Sequence, residues 1–275
     1  MNELADITER THHTFPPLGE CIYCGSKEQL QDEHIIAYSL NGNAILPKAS
    51  CRKHADITSQ FEGDFARGPA LPMRALFGFK SHHGRKTYPA SFQLRMKIDG
   101  NWRSVDLPLP EFPVILQLPV FAFPPSFLTG QRDIPANSER TILICLRENK
   151  SPREILHEVG RRFHAEEIEV PRVDHKVFAR LIAKSAYCLA VAQFGIAGIK
   201  QKYVLPGILG EADDLGTWIG SSEQPLAGEE AQHITQVKTY YKPGGEEIIV
   251  VLLKLFGTLP APGYLVVVGS KHHNP

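Results

Sequence analysis

The chain has 275 residues, 43% of them hydrophobic, so it can bury a sizeable core and does not read as disordered. Lysine plus arginine equals aspartate plus glutamate, 30 against 30, which excludes a global field that would draw the molecule onto nucleic acid or an anionic membrane. Any such binding has to come from a local patch.

The first residues, MNELADITERTHHTF, lack the basic segment and following apolar run of a secretory leader. No apolar run in the sequence approaches the roughly 18 residues of a spanning helix. The expectation is a soluble, cytoplasmic protein with no membrane partner. In a reducing compartment, closely spaced cysteines among the five present read as metal ligands rather than disulfides.

Residues 15–68 form a first unit, rich in polar and small residues and too small to carry a core without a metal. Its end is marked by RGPALP at 67–72. Cys21-Ile-Tyr-Cys24 makes one knuckle, with Gly25 to permit a tight turn, and Cys51-Arg-Lys-His54 follows after the 26 residues 25–50. The second pair suits the first turn of a helix, where positions i and i+3 share a face. Three thiolates and one imidazole at this spacing point to a tetrahedral zinc site. Between the pairs lies Asp32-Glu33-His34-Ile35-Ile36, whose alternation predicts a strand with His34 and Ile36 on one face. Asn41-Gly42-Asn43 supplies a turn and ILPKAS leads into the second pair. Ligand pair, strand, loop and helix start together predict a ββα layout pinned at its base by zinc.

These residues resemble the HNH endonucleases in their zinc-stapled, ββα-metal form. The resemblance covers about residues 18–66 and rests on the first C-x2-C, the Glu-His-Ile-Ile segment, the Asn/Gly loop and the second ligand pair at a helix start. It implies that His34 is the general base that activates water against a phosphodiester, and that Glu33 helps to hold a divalent cation. Asn43, or Asn41, would be the Asn of the motif. It further implies structural Zn2+ on Cys21, Cys24, Cys51 and His54, and catalytic Mg2+ or Mn2+ beside His34. The family carries Asn or His directly after the last zinc ligand, where this chain has Ala55, so the helix ligand would come from Asp56, Thr58 or Glu62. The residue types suit the task. An imidazole titrates near neutral pH, and a hard cation with oxygen ligands neutralises charge on the phosphate.

Residues 69–98 form a basic connecting region. With Arg67 just before it, the run holds Arg67, Arg74, Lys80, Arg85, Lys86, Arg95 and Lys97, and no Asp or Glu lies between Asp64 and Asp99. Such a run offers phosphate contacts or a solvated basic face.

Residues 99–275 read as a C-terminal domain of mixed helix and strand. FQLRMKIDGNWRSVDLPL at 92–109 predicts a hairpin turning on Asp99-Gly100, and the proline-rich run at 113–125 predicts edge or irregular chain. TILICL at 141–146 predicts a buried strand. SPRE at 151–154 predicts a helix with a capping box, and a second helix starts near Asp174 and stops at Gly195. HITQVKTYYKPGGEEIIVVLLKLFG predicts two strands around a Pro-Gly-Gly turn, and YLVVVG one more. Cys145 and Cys188 read as small core residues, and the pairs His12-His13, His82-His83 and His272-His273 as solvated surface.

The expected class is α+β, a zinc-stapled ββα-metal module followed by a larger α/β domain. The expected function is cation-dependent hydrolysis of DNA phosphodiesters, with RNA the other target class and the C-terminal domain recognising a protein or small-molecule partner. Two alternatives stand beside it: a non-catalytic, zinc-dependent nucleic-acid-binding protein, and a sensor or regulatory protein whose main activity lies in the C-terminal domain. The latter shows no Gly-rich phosphate loop or nucleophile motif.

Overall fold

The computed structural model describes residues 13–79, 88–137, 140–147, 150–222, 233–242 and 245–272. The predicted turn at Pro243-Gly244 and the histidines at 12, 82, 83 and 273 lie outside those residues.

The N-terminal unit begins with β1 (His13–Thr14) and β2 (Leu30–His34), then β3 (Ala44–Cys51) and α1 (Arg52–Arg67). β3 is central, antiparallel to β2 and parallel to β1. Pro47 cannot donate to a ladder, and the β2–β3 register shifts beside it, between Gln31 and Glu33. The turn between the strands needs Asn41 in the left-handed region, φ 68°, and a glycine after it. A Cβ at Gly42 would lie 1.9 Å from the Ile36 carbonyl oxygen.

A short α2 (Leu71–Phe77) then leads to β4 (Ser91–Ile98) and β5 (Asn101–Pro108), the predicted hairpin. Its turn residues Asp99 and Gly100 both have positive φ, 50° and 73°, as a two-residue hairpin turn requires. Among the described residues β6 (Ile115–Val120) pairs only with β7 (Arg140–Cys145). Pro119 is therefore accommodated in a two-stranded edge. β7 departs from expectation, because only Ile144 in it is buried and Leu143 is exposed. Arg140, Thr141 and Leu143 are exposed, so its apolar run is not a core strand.

α3 (Pro152–Phe163) starts on the predicted capping box, in which Glu154 N–H donates to Ser151 Oγ and Ser151 N–H to Glu154 Oε2. β8 (Glu167–Glu169) adds to the free edge of β4. α4 (His175–Phe194) is capped by Asp174, whose carboxylate accepts from Lys176 and Val177 N–H. After β9 (Ile199–Lys202), α5 (Leu205–Leu209) and α6 (Leu215–Trp218) come β10 (Ile219–Ser222), β11 (His233–Tyr241), β12 (Glu247–Leu255) and β13 (Gly263–Lys271). These strands make an antiparallel sheet in the order β10-β13-β12-β11, with β9 also paired to β13. The class is α+β, as expected.

α4 is the central element, in contact with α1 on one side and with β11, β12 and β13 on another. It is long and apolar enough to pass for a membrane span, contrary to the expectation from apolar runs, but most of it is buried within the protein. One hydrophobic cluster runs from Cys21 in the N-terminal unit through Phe61 and Phe178 to Val268 in the sheet.

His233 joins the sheet to the N-terminal loop. Its Nδ1 accepts from Phe256 N–H at 3.3 Å, which leaves Nε2 to carry the proton and donate to the Leu40 carbonyl at 3.1 Å. Burial lowers its pKa from 6.5 to about 4, with the Leu40 carbonyl opposing. The folded state thus disfavours the proton that the unfolded chain accepts, so stability is lost as pH falls from about 6.5 towards 4. Urea titrations at pH 7.5 and pH 4.5 should show wild type losing about 2 to 3 kcal/mol more than His233→Gln. Equal losses in both proteins would show that this histidine is not the group responsible.

Candidate metal centre and active site

The two ligand pairs meet. Cys21 and Cys24 sit on a turn closed by Gly25 N–H donating to Cys21 O at 2.7 Å, with Gly25 at φ 76°. Ile22 N–H donates to Ala49 O, which lays the knuckle against β3. Cys51 is the N-cap residue of α1 and His54 lies in its first turn. The four ligand atoms all lie within 4.8 Å of one another.

Bonds of about 2.3 Å to sulfur and about 2.0 Å to nitrogen, at tetrahedral angles, place two sulfurs about 3.8 Å apart and sulfur about 3.5 Å from nitrogen. Cys24 Sγ and Cys51 Sγ are 3.8 Å apart, and Cys21 Sγ is 3.6 Å from His54 Nδ1. Cys51 Sγ to His54 Nδ1 is tighter, 3.1 Å. The group can therefore hold a metal ion such as zinc. Burial pushes the Cys21 thiol up to about 11. Burial acts in the same sense on Cys51, but backbone N–H groups of the first turn and the neighbouring cysteines outweigh it and hold that thiol below its ordinary value. His54 is lowered by burial and by Lys53.

Glu33 and His34, adjacent on β2, face opposite ways. The His34 ring is partly exposed, 5.5 Å from the Tyr38 ring, and its residue pairs with Ile45 on β3. Ile36 lies beyond the end of β2, so the predicted shared strand face stops at His34. Glu33 is buried. Its carboxylate meets the ammonium of Lys184, from the middle of α4, at 2.7 Å. The same ammonium lies 2.7 Å from Glu62 Oε1 on α1 and donates to the His34 carbonyl.

Of the helix candidates, Glu62 is thus the one brought to Glu33. Asp56 is exposed and paired with Arg52 at 3.0 Å, while the Thr58 hydroxyl donates to Ala55 O within its own helix. Asn43 accepts from His13 N–H through its carbonyl, and with Ile36, Gly42, Leu189 and His233 it borders a small apolar cavity. Burial pulls the Lys184 pKa down, but Glu33 and Glu62 outweigh it and hold it above the ordinary lysine range. Burial also pushes the Glu62 carboxyl up, with Lys184 pulling it back.

Lys184 was not singled out as a site residue in the sequence, although it is the one charged residue between Arg180 and Lys200. A lone charge in an apolar helix needs a buried counter-charge. Three of the seven residues of the basic run have partners within the protein. Arg74 is buried and donates to the Ser39 and Ala66 carbonyls, and Arg95 and Lys97 pair across strands with Glu169 and Glu167. Arg67 is exposed at the end of α1, and Lys80, Arg85 and Lys86 lie outside the described residues.

Comparison with protein-family models, with curated proteins and with solved structures finds no match.

Metal analysis of the purified chain should give one bound zinc per molecule, and Cys24→Ser and His54→Ala should retain less than about a tenth of it. Chelation should lower the melting temperature, because metal binding adds to the folding free energy of the unit that supplies the ligands. Zinc-replete growth that yields a folded, metal-free wild type would refute this assignment.

Proposed function

We propose that the chain is a divalent-cation-dependent endonuclease that hydrolyses phosphodiester bonds of DNA with His34 as the general base. The reading is carried by one observation. A partly exposed imidazole stands at the end of the first strand of a β2–loop–β3–α1 unit, and the neighbouring carboxylate shares the Lys184 ammonium with a second carboxylate from the helix. The Cys3His group supports a structural zinc at the base of that unit.

In this reading His34 takes a proton from water, and the resulting hydroxide attacks phosphorus as the bond to the leaving oxygen breaks. Glu33 and Glu62 would hold a Mg2+ or Mn2+ ion, which supplies charge neutralisation at the phosphate when bound. Asn43 ends the loop two residues before Ile45, the strand partner of His34, and is the candidate for orienting the substrate or the ring.

A specific observation favours a second reading, a zinc-dependent module that binds nucleic acid without cutting it. The point between Glu33 and Glu62 holds the ammonium of Lys184.

His34→Ala should reduce Mg2+- or Mn2+-dependent cleavage of DNA about a hundredfold or more, with zinc content and melting temperature retained. A fully zinc-loaded wild type that cuts neither DNA nor RNA with either cation would end the endonuclease reading. Zinc-dependent retardation of DNA in a gel by that same protein would then support the second.

A further inference from the structure

We propose that Lys184 is the resident cation of the Glu33–Glu62 site, so that a divalent ion can enter only when this ammonium leaves. The inference rests on the reading of Glu33 and Glu62 as the cation-binding pair, and it adds an occupant that competes with the ion.

The geometry is that of a filled cation position. An ammonium offers three donors and accepts nothing. Lys184 places one on Glu33 Oε1, one on Glu62 Oε1 and one on the His34 carbonyl, and its side chain has no solvent exposure. All three acceptors are oxygens, the donor type that Mg2+, Mn2+ and Ca2+ prefer. They come from the end of β2 and from one face of α1. The occupant comes from elsewhere in the chain, 122 residues from Glu62 and 150 from His34. An open carboxylate pair attracts divalent ions. This pair already has a positive charge delivered by α4 with its hydrogen bonds complete.

Charge balance gives the consequence of removing the lysine. Without it, two carboxylates are left facing each other in a buried space, an arrangement that costs stability unless one takes a proton or a cation arrives. A protein lacking the ammonium should therefore both lose stability and gain a divalent-ion site, and the ion should restore what the substitution removed.

The full chain with its zinc bound is titrated with Mn2+, and free Mn2+ is read by electron paramagnetic resonance. Lys184→Ala should bind one Mn2+ at least tenfold more tightly than wild type, and Lys184→Ala combined with Glu62→Gln should lose that site. Millimolar Mn2+ should raise the melting temperature of Lys184→Ala and leave that of wild type unchanged. Tight Mn2+ binding by wild type that disappears in Glu62→Gln would overturn the proposal, as would a folded Lys184→Ala that gains no site. If Lys184→Ala does not fold, Lys184→Gln carries the same expectation, and the wild-type titration still decides. A gained Mn2+ site without DNA cleavage would uphold the resident-cation assignment and count only against hydrolysis.

Discussion

A lysine with no solvent exposure stands in the middle of a buried helix, and the arrangement of the N-terminal unit depends on how that charge is met. An unpaired ammonium in such a place would cost several kcal/mol or would lose its proton. Three acceptors are needed, and Glu33, Glu62 and the His34 carbonyl supply them. The sequence supplies no other charge between Arg180 and Lys200. The end of β2 and the middle of α1 are thereby brought to one point on α4. Buried ion pairs are weak contributors to net stability; here the effect is registry. The surrounding contacts, such as Phe65 against Phe178 with centroids 5.4 Å apart, are apolar and would tolerate sliding far better than three directed bonds.

The same face of α4 reaches the candidate metal centre. Lys184, Tyr187 and Cys188 stand at i, i+3 and i+4, so they form one stripe. Tyr187 donates to the Ile22 carbonyl within the first knuckle, and Tyr23 OH lies 3.9 Å from Cys188 Sγ. The Tyr23 ring in turn lies 5.5 Å from the ring of His54. One helical stripe thus touches the cysteine knuckle at one end and the acidic pair at the other. The Cys3His group brings the first knuckle to the start of α1, and α4 joins that assembly to the large sheet.

Local signals in the sequence were legible because they are local in physics. The capping box at Ser151, the carboxylate cap at Asp174 and the positive-φ turn at Asp99-Gly100 each depend on atoms within a few residues. The Cys3His group was legible for a related reason, since metal geometry restricts spacing tightly enough to be seen without a fold. What escaped was set by pairing across the chain. Arg95 and Lys97 read as part of a free basic run until β8 lays Glu169 and Glu167 directly opposite them. Strand β7 read as buried because its composition is apolar, whereas burial depends on a covering layer that composition does not specify. The family resemblance joins Glu33 and His34 in one site, and strand β2 sends their two side chains to opposite faces, Glu33 buried and His34 partly exposed.

That last point bears on what the site can do. Hydrolysis requires a base, a cation and a phosphate within contact of one another, and proximity in sequence provides none of this by itself. Here the imidazole is on the wetter side of β2 while the acidic pair is on the drier side, closed by Lys184. The Lys184 ammonium occupies the nearest oxygens of both carboxylates. Exchange of one cation for another could therefore change the local field beside His34 without moving the backbone of β2, because the His34 carbonyl is itself one of the three acceptors. In the endonuclease reading we propose, activity would be governed by which positive charge the two carboxylates hold, and that choice would belong to α4 as much as to the unit that carries the histidine.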